Sequence, residues 1–313
     1  MKTMNDSNSS KQTDAPGGFR VAGIGEVLWD VFPNGQRLGG APTNFACHCR
    51  QLGATAFPVS CVGDDALGRR TVEELERLGV DVRHLQTSAA YPTGRVLVEL
   101  DETGKPDYQI LEGVAWEQLE FTDGLDALAR SLDAVCFGTL AQRSEVSRRT
   151  IRGFLKRMPE RALKILDVNL RQPFFSRALV EESLALANVV KLSDEELPVL
   201  AGYFELTGGV NEQLAGLRER FSLKLVAYTR GADGSVLVTA GGVQETGGVA
   251  VTPVDSVGAG DSFTAALCIG LLTGMPLPEV NQFANRVAAF VCSKAGATPI
   301  LPESLKTIQP NTP

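Results

Sequence analysis

The stretch 163-LKILDVNLRQPFFSRALVEESLALANVVKLSDEELPVLAGYF-204 sets the architecture of the chain. It opens on a short, β-branched apolar run and passes into a helical pattern at 178-ALVEESLALA. A second apolar run follows at 188-NVVKLS, and the stretch leaves through another helical segment at 194-DEELPVLAGYF. Strands that are apolar along nearly their whole length are covered on both faces, and strands separated by helices run parallel. The alternation continues outward in both directions. Apolar runs recur at 20-RVAGIG, 56-AFPVSCVG, 133-DAVCFG and 223-LKLVAYT, with helical patterns at 66-ALGRRTVEELERLG and 144-SEVSRRTIRGFLKRM. The expectation is an α/β fold whose mostly parallel sheet has helices on both faces and whose ligands sit at the carboxyl ends of the strands.

Two passages depart from this pattern. The segment 93-TGRVLVELDETGKPDYQILEG-113 reads as two alternating strands about a turn at Glu102-Thr103-Gly104, and 28-LWDVFPNGQRLGG-40 reads as a shorter hairpin about Asn34-Gly35. Together they make a small separate sheet. Such a sheet buries little by itself, so it is expected to cover a ligand as a lid, with Gly39-Gly40 as its hinge.

With 313 residues, 43% hydrophobic and 21% charged, the chain fits one large domain over about 19–307. The first 18 residues, MKTMNDSNSSKQTDAPGG, read as a disordered leader with no apolar signal-peptide core. A net charge of −7 without a basic block argues against nucleic-acid or anionic-membrane partners. The six cysteines show no C-x-x-C spacing and suit buried free thiols in a reducing compartment, so a cytoplasmic protein is expected. Cys47, His48 and Cys49 fall within the apparent helix 42-PTNFACHCRQLG-53, where positions two apart point to different sides and cannot share a metal ion.

Three places could cradle phosphate. Gly23-Ile24-Gly25 follows the first strand but lacks the third glycine of a dinucleotide fingerprint, and no G-x-x-x-x-G-K-[ST] run exists. The remaining one is 254-VDSVGAGDSFTAALCIGLL-272, where Gly258, Ala259 and Gly260 enter a helix directly before Asp261. Backbone N–H groups at a helix start lack intrahelical partners and attract anions, and Asp261 in that first turn can act as a cap or as a base.

Here 39-GGAPTNFACHCRQLG-53 and 255-DSVGAGDSFTAALCIG-270 resemble the paired signatures of the ribokinase-like (PfkB) carbohydrate kinases. Further matches stand in order at 167-DVNLRQPFF, 191-KLSDEEL, 228-YTRGADGS and 283-FANRVAAFVCSKAGATPILP, so the likeness spans about residues 20–302 and is greatest to bacterial fructokinases. The resemblance implies a three-layer ribokinase-like fold. It makes Gly258, Ala259 and Gly260 an anion hole for the transferring phosphoryl group, Asp261 the base, and Arg171 a bridge toward phosphate or sugar. Asp30, Gly39, Gly40 and Asn44 would hold the sugar; Thr229, Gly231, Gly234 and Asn285 the nucleotide. Glu196, in an N-x-x-E element with Ser193 in place of Asn, would act on Mg²⁺ through water. Asp255 and the Val257 carbonyl, with carbonyls near Val291 and Gly296, would take a monovalent cation such as K⁺, although Ile300 stands where some relatives offer a hydroxyl.

The expected activity is transfer of the γ-phosphoryl of ATP to a sugar hydroxyl, with fructose the first candidate. Ribose, a nucleoside or 2-keto-3-deoxygluconate are alternative acceptors, and a non-catalytic sugar- or nucleotide-binding regulator is the alternative of another class. A homodimer through the lid sheets is expected, because their edges need cover.

Overall fold

The computed structural model describes residues 18–33, 35–100, 106–171 and 173–306. The amino-terminal part alternates β1 (Arg20–Ile24), β2 (Leu28–Phe32), β3 (Gly35–Gly39), α1 (Ala41–Gln51), β4 (Thr55–Gly63), α2 (Ala66–Arg77) and β5 (Leu85–Ser88). There follow β6 (Gly94–Leu100), β7 (Pro106–Ile110), α3 (Asp123–Ser131), β8 (Ala134–Phe137), α4 (Glu145–Arg157), β9 (Leu163–Asp167), α5 (Arg177–Leu186) and β10 (Val189–Ser193). The rest comprises α6 (Leu197–Phe204), α7 (Val210–Arg220), β11 (Leu225–Thr229), β12 (Ser235–Thr239), β13 (Gly242–Thr246), α8 (Ala259–Leu272), α9 (Leu277–Cys292) and α10 (Glu303–Lys306).

The main sheet has nine strands in the order β13-β12-β11-β10-β9-β8-β1-β4-β5. From β5 to β11 every pairing is parallel, and β12 and β13 add an antiparallel edge. All six apolar runs expected as strands are strands of this sheet. Each divides its side chains between two cores with a period of two, as a strand covered on both faces must. Val21, Ala134, Cys136, Ile165 and Val189 pack with Phe45 of α1, Phe263 of α8 and Val280 of α9. Ala22, Val135, Phe137, Leu166 and Val190 face the other way, against Leu125 of α3, Ile151 of α4, Val180 of α5 and Leu200 of α6.

From β1 the chain runs outward through β4 to β5, then resumes on the other side of β1 at β8. That reversal opens a crevice above the carboxyl ends of β1 and β8, the place where open α/β sheets take ligands. The hairpin segments join in a second, four-stranded sheet of order β3-β2-β6-β7, with Leu28, Val96 and Val98 as its small core. Two of its anchors to the body lie at α2. Trp29 donates from Nε1 to Thr71 Oγ1 of α2 at 2.9 Å. Asp65 caps α2 through the Gly68 N–H at 2.7 Å and also accepts the Thr93 N–H at 2.8 Å, one residue before β6. The expected leader up to residue 17, the turn at 102–104 and Asn34 lie outside the described residues.

Five of the cysteines are buried free thiols and Cys292 is half-buried. His48 is fully buried, its ring held near pKa 4 by burial, and its Nε2 lies 2.9 Å from the Ala297 carbonyl oxygen. No helix among the described residues is long and apolar enough to cross a membrane.

Candidate active site

The site begins at the entry to α8. Gly258 is left-handed (φ 80°), and a Cβ there would come within 2.3 Å of the Ala297 carbonyl oxygen, so only glycine fits both the turn and the neighbouring chain. The N–H groups of Gly260 and Asp261 have no acceptor among the described residues, which leaves them directed at whatever sits before the helix. Helix α8 is itself immobilised between α1 and α9, and Ser262 through Gly270 are all buried.

Asp261 lies in this first turn. The amide of Asn44 on α1 donates to Asp261 Oδ2 at 2.8 Å, so Oδ2 is committed and Oδ1 is the oxygen open to a proton donor. Asn44, expected on the sugar, therefore also orients the carboxylate. Burial raises the Asp261 carboxyl to about 6; the charge of Asp167 pushes the same way, against Asn44, Lys191 and Arg171. Asp30, on β2, is likewise raised to about 6 by burial, opposed by Arg171 and Arg37. Gly39 lies beside Asp30: a Cβ there would be 2.9 Å from Asp30 Oδ2. Gly40 (φ 110°) caps α1 with no room for a side chain, since a Cβ there would come within 2.4 Å of the Glu26 carbonyl oxygen.

Arg171 faces three acids at once, acting electrostatically on Asp261, Asp30 and Glu26. Glu26 was not given a role from the sequence. It is 2% exposed, its Oε2 has no hydrogen-bond partner among the described residues, and burial lifts it to about 7, with Asp261 raising it further.

Beneath the turn is a second group that the sequence reading passed over. Asp167 and Lys191 are register partners on β9 and β10, and Lys191 Nζ lies 3.0 Å from Asp167 Oδ1 in a buried ion pair. Burial works against the Lys191 ammonium, yet Asp167, Glu196 and Asp261 hold it above the usual lysine value. Its Nζ is 3.0 Å from where a Gly260 Cβ would be, which puts a fixed positive charge against the underside of the turn. The Thr264 hydroxyl stands 2.9 Å from the Gly260 carbonyl and 3.2 Å from Asp167 Oδ2. A signal for this group was available: Asp and Lys are almost never buried unless paired, and each stood among apolar residues of a strand, after Ile165-Leu166 and between Val190 and Leu192.

The remaining expected residues are held as follows. Glu196 accepts the Leu170 N–H on Oε1 and the Ser193 N–H on Oε2, both at 2.8 Å, and thereby fixes the loop that carries Arg171. Thr229 ends β11, with its Oγ1 3.4 Å from the Leu192 carbonyl. Gly231 opens a 3₁₀ turn, and Gly234 closes it with φ 85°. The Asn285 amide nitrogen donates to Ser235 Oγ at 2.6 Å and to the Asn281 carbonyl at 2.8 Å, so its side-chain oxygen is the part left for a ligand. Asp255 and Val257 precede the turn, where the Val257 N–H donates to Asp255 Oδ1 at 3.1 Å.

A glycine turn with free N–H groups, a half-buried carboxylate beside it and a cation beneath, at the switch point of a parallel sheet with its own small sheet, defines a phosphotransferase acting on an alcohol. The chain belongs to the pfkB family of carbohydrate kinases, whose model matches residues 25–304. An uncharacterized sugar kinase of Pyrococcus horikoshii is 32% identical over 307 residues, 91% of this chain and 94% of that protein. Its structure in complex with ATP aligns with a TM-score of 0.75 at 30% identity, covering 89% of this chain and 94% of that one. The fructokinase of Escherichia coli is 29% identical over 304 residues, 89% of this chain and 95% of its own. The fructokinase of Vibrio cholerae O395, solved with fructose, ADP and a calcium ion, aligns with a TM-score of 0.78 at 28% identity, covering 92% and 97%.

Proposed function

We propose that this sugar kinase is a fructokinase, transferring the γ-phosphoryl of ATP to a hydroxyl of D-fructose. The observation that carries the reading is Asp261: half-buried, turned by Asn44, and set beside N–H groups without an acceptor among the described residues, with the charge of Arg171 acting on it. In the reaction a sugar hydroxyl gives its proton to Asp261 Oδ1 as its oxygen attacks the γ-phosphorus. The bond to the β,γ-bridging oxygen breaks, and ADP leaves with that electron pair. The N–H groups of the turn and the Lys191 charge beneath it meet the negative charge that spreads over the moving group. Mg²⁺ carried by the ATP phosphates would supply charge neutralisation there. Both Glu196 oxygens already accept backbone N–H groups, so that carboxylate fits contact with the ion's water and not direct ligation.

The acceptor reading rests on charge. Glu26, Asp30, Asp255 and Asp261 outnumber Arg37 and Arg171 on the sugar side, and Arg37 is paired with Asp255. A sugar already carrying phosphate would meet acids there. In an ADP-release assay over a panel of sugars and nucleosides, fructose is expected to give the highest kcat/KM, well above fructose 6-phosphate. A higher value for the phosphorylated sugar overturns this reading. Release of ADP with none of the panel would favour a binding regulator on the same fold.

A pH profile follows from the raised carboxyls. Asp261 accepts a proton only when ionised, so kcat/KM is expected to be flat above neutrality and to fall as pH drops through about 6. Asp30 titrates in the same window, which steepens the limb beyond the roughly tenfold per pH unit of a single group. An acid limb centred near the ordinary carboxylate range would mean that the base is solvated in the working complex.

A further inference from the structure

The loop entering the glycine turn was expected to hold a monovalent cation at Asp255, and the residues do not fit one. Asp255 Oδ2 receives Arg37 Nη1 at 2.6 Å and the Gly296 N–H at 3.1 Å, while Oδ1 receives the Val257 N–H at 3.1 Å. Two segments expected to offer carbonyl oxygens to a cation thus also present N–H groups to the carboxylate. The Val291 carbonyl accepts the Lys294 N–H at 3.0 Å, and Ile300 is 62% exposed. A carboxylate with a guanidinium and two backbone donors has its charge and most of its lone pairs answered within the chain.

The guanidinium comes from the small sheet. Arg37 lies on β3 directly opposite Asp30 in the β2–β3 register, and its guanidinium carbon sits 5.1 Å from the Phe32 ring centroid. One two-stranded ribbon therefore presents Asp30 to the sugar side and Arg37 to the loop before the glycine turn. Arginine keeps its charge at every working pH, and its planar fork loses less freedom per hydrogen bond than a lysine would.

We propose that Arg37 serves as a tethered cation for Asp255, so that this kinase needs no monovalent cation and the ribbon bearing Asp30 also sets the charge on the loop entering the anion turn. The inference rests on the kinase reading above for its catalytic consequence, though not for its binding consequence. Removing the guanidinium would leave Asp255 with two N–H donors and an unanswered charge, which K⁺ could then meet.

The test compares the parent, Arg37→Met and Arg37→Lys in K⁺ and in N-methyl-D-glucamine⁺ at equal ionic strength, reading both turnover on the best sugar and Tm. The parent and Arg37→Lys are expected to be indifferent to the swap in both readouts. Arg37→Met is expected to gain turnover in K⁺ by about threefold or more, the size of an exposed ion pair, with a rise in Tm specific to K⁺. Its sugar KM should rise more than its kcat falls, because Asp30 shares the ribbon. K⁺ activation of the parent, or an Arg37→Met variant insensitive to K⁺ in both readouts, overturns the proposal. The Tm arm needs no turnover, so a chain that phosphorylates nothing in the panel would sink the kinase reading and leave this one decided separately.

Discussion

Asp261→Asn is expected to lower kcat by roughly 10²- to 10⁴-fold, the usual worth of a positioned general base. The substitution keeps the size of the side chain, and an amide oxygen at this place can still accept the Asn44 N–H that now reaches Oδ2 at 2.8 Å. The glycine turn and its free N–H groups do not depend on the carboxylate, so affinity for nucleotide should change by less than about tenfold, or about 1.4 kcal/mol. If Asp261 served only as a residue of the first helical turn, Asn would replace it almost without cost, since the two are near equals there. Steady-state kinetics beside a melting curve separate the cases. A folded variant running near the parent rate removes the carboxylate from the mechanism.

The second large effect is expected at Lys191. Lys191→Met leaves Asp167, 3% exposed, as a buried carboxylate without its ion-pair partner. Breaking one side of such a pair typically costs about 3–5 kcal/mol, a fall in Tm of roughly 5–15 °C for a chain of this size. Turnover should fall with it, because the charge beneath Gly260 is lost. Adding Asp167→Asn is expected to restore much of the Tm, since the stranded charge is then gone, while turnover stays low. Recovery of both together would make the pair purely structural. An unchanged Tm in the single variant would mean that the pair contributes no stability.

The layout of the sheet was legible because burial on two faces writes itself into composition. Runs such as 133-DAVCFG and 223-LKLVAYT admit few other readings, and the two hairpins stood out by alternating instead. The antiparallel β12 and β13 were not anticipated, for 235-SVLVT looks like any other strand and its direction is set by the turn closed at Gly234, with a second tight turn at Ala240-Gly241 reversing the chain into β13. At the site, the glycine turn and Asp261 announced themselves as local motifs. What stayed hidden was pairing at a distance: Asn44 with Asp261 across 217 positions, Arg37 with Asp255 across 218, and Lys191 with Asp167 on neighbouring strands. Such contacts depend on strand order, which no single segment encodes. Glu196 is the instructive middle case. The motif located it, yet its two oxygens turned out to grip backbone.

That grip reaches beyond local order. Leu170 precedes Arg171, proposed for the acceptor side, and Ser193 ends the strand beside β11, where Thr229 is the residue proposed for the donor side. One side chain thus rivets the two banks of the cleft together. Their span is then governed by the spacing of adjacent strands, about 4.8 Å, and not by the play of loops. Strand spacing is a constant of polypeptide geometry, so evolution can retailor the small sheet for a different alcohol without disturbing the distance over which the phosphoryl group must travel.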